Sequence, residues 1–168
     1  MRFHFLRRLS GTLYSAVVME LFERLAYYGV LLVLSIYLQD HLGLQPVLLG
    51  TVFSVFTAAI YLFPILAGAL ADRFGYRPAL LLAFLLLTAG YALLGTTTRF
   101  PLICTALGLI ALGGSIVKPT ISGTVTRTTE AGSTRPVGFG LYYTMVNAGG
   151  LLGPVLAAQI RNRSSFRY

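Results

Sequence analysis

Charge is what this chain has least of. Only 11% of its 168 residues are Asp, Glu, Lys or Arg, and 56% are hydrophobic; a soluble globular domain carries about 25% charged residues. Acids are scarcest, five against thirteen Lys and Arg, for a formal net charge of +8. In a soluble chain that excess would point to nucleic acid. Here the charges lie mostly between long apolar blocks, so no nucleic-acid partner is expected and the lipid bilayer takes its place. A single cysteine, Cys104 in an apolar stretch, supports neither a disulfide framework nor a metal site. The two histidines, His4 near the N-terminus and His41 in a short polar stretch, have no companions that suggest a metal. Gly113-Gly114-Ser115 opens no Walker pattern, because the required Gly-Lys-Ser/Thr is missing, which argues against an ATP-driven pump. No combination of nucleophile, base and orienting group stands out, so an enzyme is the least favoured class and no cofactor is expected.

Long apolar runs are what remains. At about 20 mostly apolar residues per crossing, five spans can be read, at about residues 13–38, 46–71, 79–95, 101–124 and 137–160. The expected fold is all-α, a multi-span transmembrane helix bundle. The second span starts at Pro46, a favoured first helical residue. Asp72 to Pro78 reads as a basic loop, residues 126–136 as the longest polar connection, and residues 161–168 as a tail. The basic stretch from Met1 to Arg8 resembles the start of a signal peptide. No small-residue cleavage site follows it, so an uncleaved first span is expected. Arg2, Arg7, Arg8, Arg73, Arg77, Arg127 and Arg135 fall on one side, and the internal loops of the other hold only Arg99. The positive-inside rule then places the N-terminus in the cytoplasm, in a multi-pass protein of the inner or plasma membrane. Arg161, Arg163 and Arg167 fall on the outer side against that rule, unless the chain re-enters the membrane beyond Tyr168. This open-ended bundle leads us to expect a piece of a longer protein. Gly68, Gly108, Gly113, Gly114, Gly149, Gly150 and Gly153 permit close helix approach. Pro64, Pro119 and Pro154 are expected to kink or loosen their helices.

The first span contains Met19-Glu20-Leu21-Phe22-Glu23-Arg24-Leu25-Ala26-Tyr27-Tyr28-Gly29. Positions i, i+3, i+4 and i+7 neighbour one another on a helix, so Glu20, Glu23, Arg24 and Tyr27 share a face. A central charge facing lipid costs at least ~2.5–3.5 kcal/mol, so the stripe has to face other helices or a watery cavity. Intramembrane carboxylates so placed are candidates for a proton or substrate site.

Two motifs stand out. Gly68-Ala69-Leu70-Ala71-Asp72-Arg73-Phe74-Gly75-Tyr76-Arg77 resembles the cytoplasmic loop signature of the major facilitator superfamily, Gly-x-Leu-Ala-Asp-Arg-x-Gly-x-Arg. Asp72 can cap and pair at a helix end while Arg73 and Arg77 hold the inner face, a latch between helices that rock. Glu20-x-x-Glu23-Arg24 followed by Tyr27-Tyr28-Gly29 resembles the first-helix signature of the proton-dependent oligopeptide transporter family within that superfamily. The resemblance implies proton coupling through these residues and a switchable ion pair with a lysine of the fourth helix. Lys118, before Pro119 in an apolar span, is such a lysine. It is costly there without a carboxylate, and Glu20 and Glu23 are the intramembrane acids available. Protonating one glutamate would loosen the pair and bias a two-state bundle.

The stretch from Arg135 to Gly149 resembles the same family's fifth-helix signature, with Gly138-Phe139 and Asn147-x-Gly149 in place. By resemblance, Tyr28 and Tyr61 line the peptide cavity, and Asn147 can bond a peptide amide or carbonyl. A phenol offers a flat apolar face and one polar tip, which suits varied side chains. The implied activity is proton-coupled symport of di- and tripeptides, with a proton gradient as the driving force.

Plainer roles stay open for these residues. They are a structural ion-pair network for the charged stripe, a topogenic loop for Asp72 to Arg77, an interhelical bond for Asn147 and simple packing for the tyrosines. At the level of the protein, another facilitator such as a drug or small-solute antiporter, or a non-transporting membrane scaffold, stays open. Two positions depart from the peptide-transporter pattern. Leu31 stands where the family commonly has arginine, and the loop after Asp72 is one residue shorter. The resemblance runs from Met19 to Pro154, and family members have twelve or more spans in two halves. A C-terminal half is therefore expected to be absent from these 168 residues, and a chain of this length is not expected to transport by itself.

Overall fold

The computed structural model describes residues 10–163. Arg2, His4, Arg7, Arg8 and Arg167 lie outside them. Six helical segments follow in order: α1 (Gly11–Asp40), α2 (Pro46–Leu62), α3 (Pro64–Phe74), α4 (Tyr76–Thr96), α5 (Phe100–Thr128) and α6 (Arg135–Arg163). No strand occurs among the described residues. α2 and α3 are one 29-residue span, Pro46–Phe74, interrupted at Phe63. Among the described residues there are thus five helices, as expected, in an all-α membrane bundle. Pro64 causes the interruption, since it has no N–H to offer the preceding turn. The helical bonds resume at once, with Ala67 N–H donating to the Phe63 carbonyl at 2.9 Å. Pro119 and Pro154 instead lie inside continuous helices.

Among the described residues, three stretches are long and apolar enough to cross a membrane: Pro46–Phe74, Tyr76–Thr96 and Phe100–Thr128. α1 is as long, 30 residues, but carries Glu20, Glu23 and Arg24. α6 is diluted by glycine, Asn147 and arginine. Outward positions bear Phe22, Ile65, Leu81, Leu85 and Leu151, and an apolar exterior of this kind suits lipid contact.

The residues gather into two compact units, one containing α1 and α6 and the other residues 50–123. In the first unit Ser10 caps α1, its Oγ accepting the Leu13 N–H at 3.2 Å, the usual device for an orphan amide at a helix start. α1 and α6 run parallel in a constant register. Leu13 lies beside Gly138, Arg24 beside Gly149, and Leu25 and Gly29 beside Gly153. A methyl group placed on Gly153 would stand 2.7 Å from the Leu25 carbonyl oxygen, so the backbones touch there. This is the small-xxx-small seam that lets membrane helices approach closely.

In the second unit α4 and α5 pack antiparallel through two further glycines. Gly90 meets Ile110 and the Ala106 carbonyl, and Gly113 meets Leu87 and the Ala83 carbonyl.

The loop expected across Asp72–Pro78 contracts to one residue. Asp72, Arg73 and Phe74 form the last turn of α3, and Tyr76 to Pro78 open α4. Gly75 makes this possible with φ 94° and ψ 153°, a region that is essentially glycine's alone. Pro78 falls in the first turn of α4, where a missing N–H costs nothing. Gly75→Ala is expected to destabilise the protein by about 1–3 kcal/mol, read as a lower unfolding midpoint in detergent. Gly95→Ala, at a helical glycine with nothing within 4 Å, serves as the comparison.

The polar connection before α6 is also shorter than expected, because α5 runs on to Thr128. The Arg135 guanidinium donates to the Thr126 carbonyl at 3.2 Å and to the Thr129 carbonyl at 3.4 Å. It thereby satisfies carbonyls that a helix end leaves without partners. Arg161 and Arg163, expected in a tail, lie in the last turn of α6, where positive charge suits the helix dipole.

Candidate functional site

The buried stripe of α1 runs through Leu13, Ala16, Val17, Glu20, Glu23 and Arg24, while Met19 and Phe22 face outward. Glu20 is 0% exposed, Glu23 4% and Arg24 3%. Ionised groups are tolerated at such depth only when they satisfy one another. Arg24 Nε donates to Glu20 Oε1 at 3.0 Å and stands 2.6 Å from Glu23 Oε2. One N–H is therefore set between two carboxylates. The guanidinium carbon also lies 5.4 Å from the centroid of the Tyr27 ring, within cation–π range. Taken by themselves, two acids and one base leave one excess negative charge, which a single proton cancels. Arg24 is anchored from behind, because its Cβ abuts Gly149 of α6.

Tyr28 packs edge-to-face on Tyr27, with ring centroids 5.0 Å apart. Its ring also lies against Gly150. Asn147 is one turn before Gly150 on α6 and is exposed, as is Tyr28. Both side chains thus open on one face of the α1–α6 pair, about a turn from the buried cluster. An amide and a phenol near two buried carboxylates offer hydrogen-bond donors and acceptors.

The other candidates belong to the second unit. Lys118 Nζ stands 4.6 Å from the centroid of the Tyr61 ring, and the lysine is half-buried. Pro119, next in the chain, touches the position of Gly68 on α3. In the loop motif, the Tyr76 hydroxyl donates to Asp72 Oδ1 at 2.9 Å, and its ring covers Gly123 of α5. Arg73 lies over the ring of Phe74. Gly68 stays on the seam with α5, and Arg77 sits in the first turn of α4.

The profile of the Major Facilitator Superfamily matches residues 16–168. The chain belongs to the major facilitator superfamily. Within it, the chain groups with the proton-dependent oligopeptide transporters. It is 34% identical over 154 residues to dipeptide and tripeptide permease A of Chromobacterium violaceum, covering 88% of this chain and 31% of the permease. The helices superpose on a solved bacterial homologue of the human drug peptide transporters PepT1 and PepT2 with a TM-score of 0.86 at 28% identity, over 94% of this chain and 35% of the homologue. A POT family transporter solved with 5-aminolevulinic acid gives a TM-score of 0.83 at 28% identity, over 89% of this chain and 32% of that one. The chain thus spans about a third of the length of the relatives it matches. It is a multi-pass protein of the inner or plasma membrane, in a family of transporters rather than enzymes.

Some of the chain's contacts involve residues that the motifs leave unspecified. Tyr76 was available as a signal, since it lies four residues after Asp72. Once the chain is helical on both sides of Gly75, that spacing brings hydroxyl and carboxylate together. Tyr142 is buried in the first unit, edge-on to Tyr143 with ring centroids 5.2 Å apart. Leu31, where the family pattern has arginine, is half-buried on α1.

Proposed function

We propose that this chain supplies the first helices of a proton-coupled symporter of di- and tripeptides. The observation that carries the reading is the buried Glu20–Arg24–Glu23 cluster, one turn from the exposed face bearing Tyr28 and Asn147. In this reading a proton taken by one glutamate removes the excess charge and loosens the hold on Arg24. The freed cation, or Lys118 of α5, then exchanges partners as the bundle changes state. Tyr61 holds Lys118 against an aromatic face between exchanges. Tyr28, Tyr61 and Asn147 contact the peptide, and Gly68, Asp72, Arg73, Gly75 and Arg77 form the cytoplasmic latch. The relatives' names, as peptide permeases and peptide transporters, support the choice of substrate. The arginine distribution supports a cytoplasmic N-terminus. Transport requires a second half of the kind the longer relatives have, with the substrate held between the halves.

The test is uptake of labelled L-alanyl-L-alanine into liposomes containing the full natural protein, with the outside acid. Lys118→Ala is expected to lower gradient-driven uptake by about 5- to 150-fold, the range of a coupling free energy of ~1–3 kcal/mol. Unchanged uptake would remove Lys118 from the mechanism and count against the peptide-symporter reading.

A further inference from the structure

At the end of α1 remote from Ser10, the α1–α6 pair forms a half-open pocket of about 340 Å³ lined by Val33, Ile36, Tyr37, Asp40, His41 and Arg161. Its two firmly charged groups have opposite sign and come from different helices, Asp40 from α1 and Arg161 from α6. Among the described residues, neither side chain makes a hydrogen bond or an ion pair. Opposite charges that line one cavity without closing on each other suit a guest that is itself dipolar. The last carbonyls of α1 lie beside Asp40 and carry the negative end of its helix dipole, which adds to the pull on an ammonium. Arg161 offers a planar fork of donors matched to a carboxylate. Between these poles, the Tyr37 and His41 rings stand 5.4 Å apart at 31°. With Val33 and Ile36 they complete the lining, which mixes polar and apolar surface. The volume lies at the low end of the ~300–1,000 Å³ typical of small-molecule sites, which favours a guest of one or two residues.

We propose that this cavity is a peripheral zwitterion site, taking the ammonium of an amino acid or short peptide at Asp40 and its carboxylate at Arg161. Its use as a waiting position ahead of the Tyr28–Asn147 face rests on the symporter reading above, which also places this end of α1 on the outer surface. Binding itself does not depend on that reading. Neither charge holds the fold together, so both can be changed without the penalty of orphaning a partner.

The experiment is saturation-transfer NMR of L-alanyl-L-alanine on the full natural protein in nanodiscs, in a Lys118→Ala background that disables the proposed coupling lysine. Weak binding is expected to persist there. Asp40→Asn and Arg161→Gln should each weaken it about tenfold, the effect of one lost charge-assisted hydrogen bond. The exchange Asp40→Arg with Arg161→Asp should restore it, because a zwitterion can bind turned end for end. N-acetyl-alanyl-alanine amide, which has neither charge, should not bind. Free alanine binding as well as the dipeptide would show that the termini alone are read. Dialanine binding that is absent, indifferent to both single changes, or matched by the neutral amide overturns the site. Proton-driven uptake is recorded on the wild-type preparation. Binding that depends on Asp40 without uptake contradicts the symporter reading alone, and uptake with binding indifferent to Asp40 contradicts the zwitterion site alone.

Discussion

Replacing Arg24 with alanine is expected to destabilise the protein by about 3–5 kcal/mol, the usual cost of removing one partner from a buried ion pair. The expectation follows from depth and geometry together. Glu20 and Glu23 are 0% and 4% exposed, and both face the same Nε. Without the guanidinium, two carboxylates share one buried site as like charges, and at least one has to take a proton or find water. Full natural protein in detergent should show a lower unfolding midpoint and a lower purified yield. Adding Glu20→Gln and Glu23→Gln to Arg24→Ala should recover much of the stability, because neutral amides tolerate burial better than unpaired charge. Arg24→Lys should recover less, since an ammonium cannot reproduce the arrangement of Nε between two acids with the guanidinium over Tyr27. An unchanged midpoint for Arg24→Ala would mean that the cluster is not closed in the folded protein.

The second large effect is a contrast in sign between two glycines of the same helix. Gly153→Ala is expected to destabilise by about 1–3 kcal/mol, as overpacking does. Its methyl group would stand 2.7 Å from the Leu25 carbonyl oxygen and 3.2 Å from the Gly29 amide nitrogen, and backbone cannot swing aside as a flexible side chain can. Gly140→Ala, on the same α6 but with nothing within 4 Å, should stabilise by up to ~1 kcal/mol through helix propensity alone. Unfolding midpoints of the two variants compared with wild type decide the matter. Equal shifts would show that the α1–α6 seam is not a close contact. Gly149→Ala reports on the site as well as on the seam, because its methyl group would press on the root of Arg24.

Much of this was legible in the residues. The spacing of Glu20, Glu23, Arg24 and Tyr27 placed them on one face because a helix repeats every 3.6 residues, and lipid could not be what that face meets. The number of helices followed from the apolar runs, and the glycines of α6 announced a close seam. The turns were less legible. Asp72 to Pro78 reads as a loop because it is polar and contains glycine and proline. Yet one glycine at positive φ suffices to join two helices, and proline is harmless in a first turn. The same bias put Arg161 in a tail, when α6 continues past it to Arg163. Composition marks where polarity begins, and a helix can run several residues beyond that point. The partner of Gly153 was out of reach for another reason. Nothing in α6 names Leu25 as its neighbour, because the contact is set by the register of two helices more than a hundred residues apart. The cavity at Asp40 and Arg161 depends on that same register.

The most direct test compares two kinds of dialanine transport in liposomes bearing the full natural protein: accumulation driven by an acid exterior, and exchange without a gradient. Glu20→Gln and Glu23→Gln are measured one at a time. If the buried cluster couples protons to peptide movement, at least one of them keeps exchange and loses accumulation. If both variants accumulate dialanine as wild type does, the proton is carried elsewhere and the cluster on α1 is structural.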